Sequence, residues 1–399
     1  MVKRVVLGVT GSIAAYKAAE IASKLTQEGM EVDVIMTREA TQFISPLTFR
    51  ALTGRPVAAE PFKSLSEFGI DHISLARSAE VIAIAPATAN IIAKLAVGIA
   101  DDILSSTVLA TEAPVLIAPA METHMYNNPA TQRNLAILQE RGFTIVGPDS
   151  GWLASGKKGL GRLTTVENIL GVIHQLLGRQ GDLAGKHIVV TAGGTQEPID
   201  PVRYIGNRSS GKMGYAIAEA ARDRGAKVTL VTAPVSLPEP AGIDTIRVRT
   251  AQEMYEVVKD VVPKADAIIM SAAVADYRPA STSKEKIKKR DQKLLLELEP
   301  TPDILGGLKG EYIKVGFAAE TGAILENAVE KLKRKGLHFI VANDITAHDS
   351  GFDVDTNRVT IIDRENRIEE LPLMTKREVA EIILDKVAGI FERGSGKLG

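Results

Sequence analysis

The chain has 399 residues, 45% hydrophobic, with a net charge of −1, six histidines and no cysteine. That length suits roughly two or three domains with real cores, and the charge balance gives no electrostatic case for nucleic acid or an anionic membrane. Disulfides, thiolate metal sites and thiol nucleophiles are excluded, and histidines without ligand spacing argue against zinc.

No run of 18 apolar residues suggests a span, and Met1-Val-Lys-Arg leads directly into a strand rather than a signal peptide. A cytoplasmic protein is expected. Arg4–Val9 reads as a strand, then a Gly turn enters an amphipathic helix closed by Gly29, and Glu31–Met36 is the next strand. Such a start implies a parallel sheet with right-handed crossovers. Gly8, Gly11 and Ser12 make a tight turn that is either a phosphate seat or an ordinary strand–helix turn. The turn lacks a full G-x-G-x-x-G and Asp33 comes too early in its strand, which argues against NAD.

Further strands are expected at Val81–Ala85, Val115–Ala118 and Thr144–Val146, followed by Pro86, Pro119 and Pro148. Extended X-Pro segments there suit a cleft outside the carboxyl ends of a doubly wound sheet. Thr88 and Asn90 can hydrogen-bond a ring or a phosphate, or Thr88 can simply cap a helix. Asp101 and Asp102, ahead of Ser105 and Thr107, read as helix-start charges more readily than as metal ligands. His72 is a candidate general base or a surface residue. The Gly-rich stretch Gly178–Gly185 marks a boundary, giving domains 1–180 and 181–399.

The second half restarts with an apolar strand, Ile188–Val190, and then the loop TAGGTQEPIDPVRYIGNRSSGKMG over Thr191–Gly214. This long Gly-rich loop feeds the N-terminus of a helix over 213–224, whose unpaired N–H groups suit a phosphate. GNRSSGKM resembles a Walker A loop, but Met213 stands where a hydroxyl must hold magnesium. Strands are expected at Lys227–Val231, near Thr245–Val248, and at Ala267–Ser271, Leu294–Leu298, Lys314–Phe317 and Phe339–Val341. A helix over about 323–335 follows, then a hairpin around Arg358–Asp363 and a helix over about 376–391. Asp276 ends a small-residue loop and can bind a base, a sugar hydroxyl or a metal, or can cap. The run KEKIKKR over 284–290 is either a solvated loop or a cationic lid over phosphates. Lys331 and Lys335 share a helix face, so an anion between them would relieve their repulsion unless that face is simply wet. The fold class is therefore α/β, with two tandem doubly wound, Rossmann-like domains.

TAGGTQEPIDPVRYIGNRSSGKMG, SAAVADYRP, EKIKK, TPDI, GFAAET and AND, in this order, resemble the ligase half of the bacterial bifunctional coenzyme A biosynthesis family. GVTGSIAAYK, PATAN, DDILSST and PAMxxxMY resemble the flavin framework of its decarboxylase half, a flavodoxin-like FMN domain. The resemblance covers nearly the whole chain. It implies a CTP-dependent phosphopantothenate–cysteine ligase acting through an acyl-cytidylate, and an FMN-dependent phosphopantothenoylcysteine decarboxylase. Substrates are then 4′-phosphopantothenate, cysteine and CTP, with Mg2+ held mainly by the CTP phosphates. Neither nucleic acid nor a membrane is a partner, and a trimer-based homo-oligomer is implied, as in family members that form dodecamers.

By the same resemblance Asn207 contacts the acyl intermediate and Lys286 stabilises transition-state charge. CTP falls to Ser271, Ala272, Ala273, Asp276, Lys286, Pro302, Asp303, Ile304, Leu305, Phe317, Lys331 and Lys335. FMN falls to Gly11, Ser12, Thr37, Pro86, Thr88, Asn90, Ser105 and Thr107, and His72 matches the catalytic histidine. Two positions depart from the pattern. Glu122 stands where Asn holds the substrate carboxylate, and Ser155 stands where Cys protonates the reduced intermediate. These departures open an alternative in which only the ligase is active and the FMN domain is a scaffold. A non-enzymatic flavin-binding regulator is a further alternative, at odds with the complete second domain.

Overall fold

The computed structural model describes residues 2–59, 72–289, 293–320, 324–344 and 354–395. The chain divides into two compact units, Met1–Leu177 and Gly178–Gly399.

In the first unit the order is β1 (Arg4–Val9), α1 (Ala15–Gln27), β2 (Glu31–Met36), α2 (Pro46–Thr53), β3 (Val57–Ala58), α3 (His72–Ser78), β4 (Val81–Ala87), α4 (Ala89–Val97), α5 (Ile103–Ala110), β5 (Val115–Pro119), α6 (Thr123–Tyr126), α7 (Pro129–Glu140) and β6 (Thr144–Ile145). A hairpin of β7 (Asp149–Trp152) and β8 (Lys158–Arg162) and the helix α8 (Val166–Gly178) complete it. Six parallel strands pair in the order β3-β2-β1-β4-β5-β6. Strands covered on both faces need continuous apolar runs, and Val5–Val9 and Val81–Ala87 are buried throughout. Helix α1 buries Ala15, Ala18, Ile21, Ala22 and Leu25, the spacing of a single helix face.

The second unit runs β9 (His187–Ala192), β10 (Gln196–Pro198), β11 (Tyr204–Gly206), α9 (Lys212–Asp223), β12 (Lys227–Thr232), β13 (Asp244–Arg247), α10 (Ala251–Val261), β14 (Ala267–Met270), β15 (Tyr277–Pro279), β16 (Leu298–Pro300), α11 (Ile304–Gly307), β17 (Ile313–Glu320), α12 (Ile324–Arg334) and β18 (Phe339–Asp344). It ends with β19 (Thr356–Asn357), β20 (Val359–Asp363), β21 (Ile368–Glu370), β22 (Met374–Thr375) and α13 (Lys376–Ser395). The large sheet has the order β13-β12-β9-β14-β17-β18-β20-β21. Its first six strands are parallel and repeat the 3-2-1-4-5-6 order of the first unit, while β20 and β21 add antiparallel. One face packs on α9 and α13 through Ile188, Val190, Phe339 and Val341. The other packs on α10 and α12 through Val189, Ile268 and Ile340.

One expected strand differs. Of Leu294–Leu298 only the last residue pairs, in a three-residue ladder of Leu298–Pro300 with Tyr277–Pro279, and Leu295 is 88% exposed. Pro279 and Pro300 have no N–H to extend that ladder, so the leucine run is left beside the sheet rather than in it.

Helix α9 lies very close to the end of β9. A Cβ on Gly214 would come within 2.6 Å of the Ala192 Cβ and 2.8 Å of the Thr191 carbonyl oxygen. Gly214→Ala is therefore expected to destabilise the second unit by about 1–3 kcal/mol, because neither strand nor helix can retreat. Urea denaturation should show its transition moving to lower urea, and an unmoved transition would mean the helix shifts freely.

Candidate functional site

Both units carry a cavity at the carboxyl end of the central strands, where the strand order reverses and ligands of doubly wound sheets bind.

The first has a volume of about 450 Å³, a size usual for a cofactor pocket. The turn after β1 supplies Gly11 and Ser12, the start of α4 supplies Thr88, the loop after β5 supplies Met121 and Glu122, and the β7–β8 hairpin supplies Trp152 and Ser155. Gly11 must be glycine, since a Cβ would lie 2.4 Å from that of Glu39. Ser155 sits at the hairpin tip, in a turn closed by Leu153 N–H to Lys157 O and Gly156 N–H to Leu153 O, each 2.9 Å. The hairpin is stitched to the loop beneath it by Met121 N–H to Gly161 O at 3.0 Å. Glycines are required there too, because a Cβ on Gly159 or Gly161 would strike Thr123 or the Met121 carbonyl. Glu122 is engaged: it accepts from His124 N–H at 2.5 Å and caps α6. Lys17 and Arg162 also line the cavity, and burial and then Arg162 hold the Lys17 ammonium below its usual pKa. Ile13, Tyr16, Met125 and Trp152 are each at least half exposed at its edge. Large apolar side chains around a Gly-built helix entrance fit a flat ring with a phosphate tail.

The other first-unit candidates, Thr88 apart, do not line this cavity. Thr88 caps α4 as well as lining the cavity. Ser105 and Thr107 are fully buried, and their hydroxyls bond Asp102 and the Ile103 carbonyl within α5. Asp102 caps α5 and pairs with Lys94 at 2.9 Å, as the helix-start reading expects. Thr37 accepts from Ala40 N–H, the Pro86 carbonyl accepts from Thr10, and Asn90 is exposed on α4. His72 is exposed at the head of α3 and does not line the cavity; residues 60–71 before it lie outside the described ones.

The second cavity, about 520 Å³, is built on two strand ends zipped together. Ala273 N–H donates to Gly193 O at 2.8 Å, Thr195 N–H to Ala273 O at 3.3 Å, and Ala275 N–H to the Thr195 hydroxyl at 2.9 Å. The Asn207 side chain donates to Val274 O at 2.9 Å. Opposite stands the N-terminus of α9, with Gly211 at its cap in the left-handed region and no side chain capping it. Ser271, Ala272, Ala273, Asp276, Phe317 and Lys331 all line this space, as do Asn343, Asn357 and Lys376. Four cationic side chains face it, Arg208, Lys212, Lys331 and Lys376, against one carboxylate, Asp276. Two buried acceptors have no partner, Oδ1 of Asn343 and Oδ1 of Asn357. An unmatched buried acceptor costs about 1–3 kcal/mol, so ligand groups are the natural compensation. Among the described residues no trio of imidazole or carboxylate groups is placed to hold a metal ion.

Lys331 and Lys335 each contact a protein group. Lys331 donates to Phe317 O at 2.8 Å, and Lys335 pairs with Asp303 at 3.0 Å. Protein groups thus relieve the repulsion expected of them. Neither Lys335 nor Pro302–Leu305 lines the cavity; Asp303 caps α11, and Ile304 and Leu305 turn into the core. Lys286 is exposed and also outside it. Its neighbour Ile287 is held at both backbone atoms, N–H to Asp200 at 3.2 Å and C=O from Arg203 at 2.7 Å. The Arg203 guanidinium beside Asp200 keeps that carboxyl well below the usual carboxylate range despite its burial, helped by the N–H groups of Val202, Arg203 and Ile287. Lys17, Arg162, Asn357 and Lys376 escaped sequence reasoning: the first lay unremarked inside a quoted motif, and the others stand in no motif.

A family profile described as Flavoprotein matches residues 2–178, and one described as DNA/pantothenate metabolism flavoprotein C-terminal domain matches residues 183–390. The coenzyme A biosynthesis bifunctional protein CoaBC of Bacillus subtilis (strain 168) is 48% identical over 397 residues, 98% of each chain. That of Escherichia coli (strain K12) is 43% identical over 398 residues, again 98% of each. A crystal structure of the C-terminal domain of a CoaBC protein is 42% identical and covers 53% of this chain and 99% of its own, with a TM-score of 0.47. Among the described residues no helix is long and apolar enough to cross a membrane. With two matched profiles in tandem and relatives of this identity over nearly its whole length, the chain belongs to the family of coenzyme A biosynthesis bifunctional proteins.

Proposed function

We infer that the chain catalyses two consecutive steps of coenzyme A biosynthesis. Residues 181–399 join 4′-phosphopantothenate to cysteine at the expense of CTP. Residues 1–180 then decarboxylate the product to 4′-phosphopantetheine with FMN. The observation that carries the reading is the second cavity, where a helix N-terminus and four cationic side chains meet Asn207, Asp276 and the Ser271–Ala273 loop.

A carboxylate is a poor electrophile, so it must first be activated. Its oxygen attacks the α-phosphorus of CTP, the bond to the β-phosphate breaks, and pyrophosphate leaves. The cysteine amine then attacks the acyl carbon, CMP departs and the amine loses a proton. The α9 terminus and Lys212, Lys331 and Lys376 hold the phosphates, where preorganised positive charge is most effective. Asn207, fixed by Val274 O, faces the acyl group, and Asp276 bonds the nucleoside. Lys286 swings in from the strap anchored by Asp200 and Arg203. Mg2+ arrives on the triphosphate.

In the first unit Gly11 and Ser12, at the head of α1, would hold the phosphate of FMN, and Ile13, Met121 and Trp152 would hold its ring. When bound, FMN would supply reversible two-electron redox chemistry at the cysteine moiety, which eases loss of carbon dioxide. Lys17 and Arg162 supply positive charge to the carboxylate-bearing substrate, and the Glu122 carboxylate is occupied by the His124 N–H. Ser155 lies at the hairpin tip where the final proton is delivered, but a hydroxyl is a far weaker acid than a thiol. His72 holds its catalytic assignment by motif alone. A homo-oligomer in the cytoplasm is the accompanying expectation. The relatives match both halves and favour two activities over a ligase with an inert partner domain.

Purified protein should release pyrophosphate from CTP in the presence of phosphopantothenate, and carbon dioxide from phosphopantothenoylcysteine; failure of the first assay removes the ligation reading. Lys286→Ala should lower pyrophosphate release by about a hundredfold or more and leave carbon dioxide release intact. Asp200→Asn keeps the shape but loses the ion pair to Arg203, so ligation should fall on the order of tenfold to a hundredfold and trypsin should cut near Lys286 and Lys288 sooner. Unchanged proteolysis would show that Asp200 does not tether the strap. Ser155→Cys should speed carbon dioxide release; an unchanged rate would assign the proton to another group.

A further inference from the structure

The second cavity has a wall that stands in no matched motif, and of its residues the ligation mechanism uses only Lys376. It comes from the two-residue ladder of β19 with β22, in which Thr356 pairs with Thr375 and Asn357 with Met374. Lys376 follows at once, its N–H bonded to Asp355 O at 2.9 Å and its ammonium to Val354 O. This ladder sets Asn357 against the first turn of α9, where its Nδ2 lies 3.9 Å from the Met213 sulfur.

Asn357 is anomalous there. It is 2% exposed, yet its Oδ1 has no partner and its Nδ2 has only a thioether, a weak acceptor. Two residues on, Val359 and then Ile361 pack into the core with Phe339 and Val341, so an aliphatic side chain at 357 would continue that stripe. The amide can turn over about its last torsion without changing shape, which presents its NH2 where Oδ1 now stands. It shares the cavity with the α9 N-terminus, Lys376 and Lys212, of which Lys212 pairs with Asp355 at 2.7 Å.

We propose that Asn357 is a phosphate-contacting residue of the ligation site, donating its amide N–H to the outer phosphates of the nucleoside triphosphate, with Lys376 beside it on the same ladder. The assignment rests on the ligation reading and adds the element that grips the leaving pyrophosphate. The C-terminal ladder thereby senses whether a triphosphate or a monophosphate is present.

The test is calorimetry on the full-length protein with CTP, CMP and inorganic pyrophosphate, together with thermal melts. Asn357→Leu removes the buried orphan, so it should melt at the same temperature as the parent or higher. It should bind CTP and pyrophosphate roughly tenfold or more weakly, with CMP affinity unchanged. A purely structural asparagine would give the reverse, a lower melting temperature and undiminished CTP affinity, and that result overturns the proposal. Equal losses for CTP and CMP would move the contact to the nucleoside and also overturn it. Should the leucine chain not fold, Asn357→Ser is read in the same way. If the parent protein itself binds no CTP, the ligation reading fails first, a result distinct from retained CTP affinity in the variant.

Discussion

The second unit depends on how closely two backbones approach at its switch point. Gly194 forms a lone parallel bridge with Ala273, and a Cβ on Gly194 would lie 2.5 Å from the Asn207 carbonyl oxygen. No other residue type permits that contact. Because the loops after β9 and β14 are joined by main-chain hydrogen bonds, the floor of the cavity is fixed before any ligand arrives. Side chains such as Asn207 are then oriented by a rigid carbonyl rather than by solvent. Preorganisation of this kind is what makes a polar group effective in stabilising charge that appears only in the transition state.

Both sheets share the order 3-2-1-4-5-6, but the loops on them make different chemistry. After β1 only a few residues precede α1, giving a shallow seat edged by Ile13, Tyr16 and Trp152. After β9 nearly twenty residues intervene before Lys212, and the β10–β11 arm within them carries Asp200 and Arg203 to the strap that bears Lys286. One seat suits a flat ring and a single phosphate. The other is longer and lined by Arg208, Lys212, Lys331 and Lys376. The fold sets where ligands bind, and the loops decide which ones.

The period of the apolar residues made the parallel strands legible, because doubly covered strands leave continuous runs such as Val81–Ala85. The Gly-built turns that line the two cavities were legible from Gly and small residues before helix starts. What was hidden follows from distance along the chain. Asn357 and Lys376 reach the cavity through a ladder between segments nearly twenty residues apart, and a single Asn before an alternating strand carries no local signal. Ser105 and Thr107 carried the opposite message. Their motif suggests ligand hydroxyls, yet the helix folds both back onto its own residues. A hydroxyl near a helix start competes for backbone groups, and sequence alone does not say which partner wins.

The lysine pair shows the same competition settled by charge. Lys331 and Lys335 at i,i+4 repel, and a passing anion was one way to satisfy them. The protein instead gives Lys335 the Asp303 carboxylate and Lys331 the Phe317 carbonyl. That arrangement has a consequence for binding. Lys335 is neutralised at short range by Asp303, whereas Lys331 is directed by the Phe317 carbonyl and lines the cavity. A carbonyl directs an ammonium without cancelling it. The buried amides of Asn343 and Asn357 extend the argument: groups that cost stability in the free protein are complementary to a ligand that brings its own hydrogen-bonding atoms.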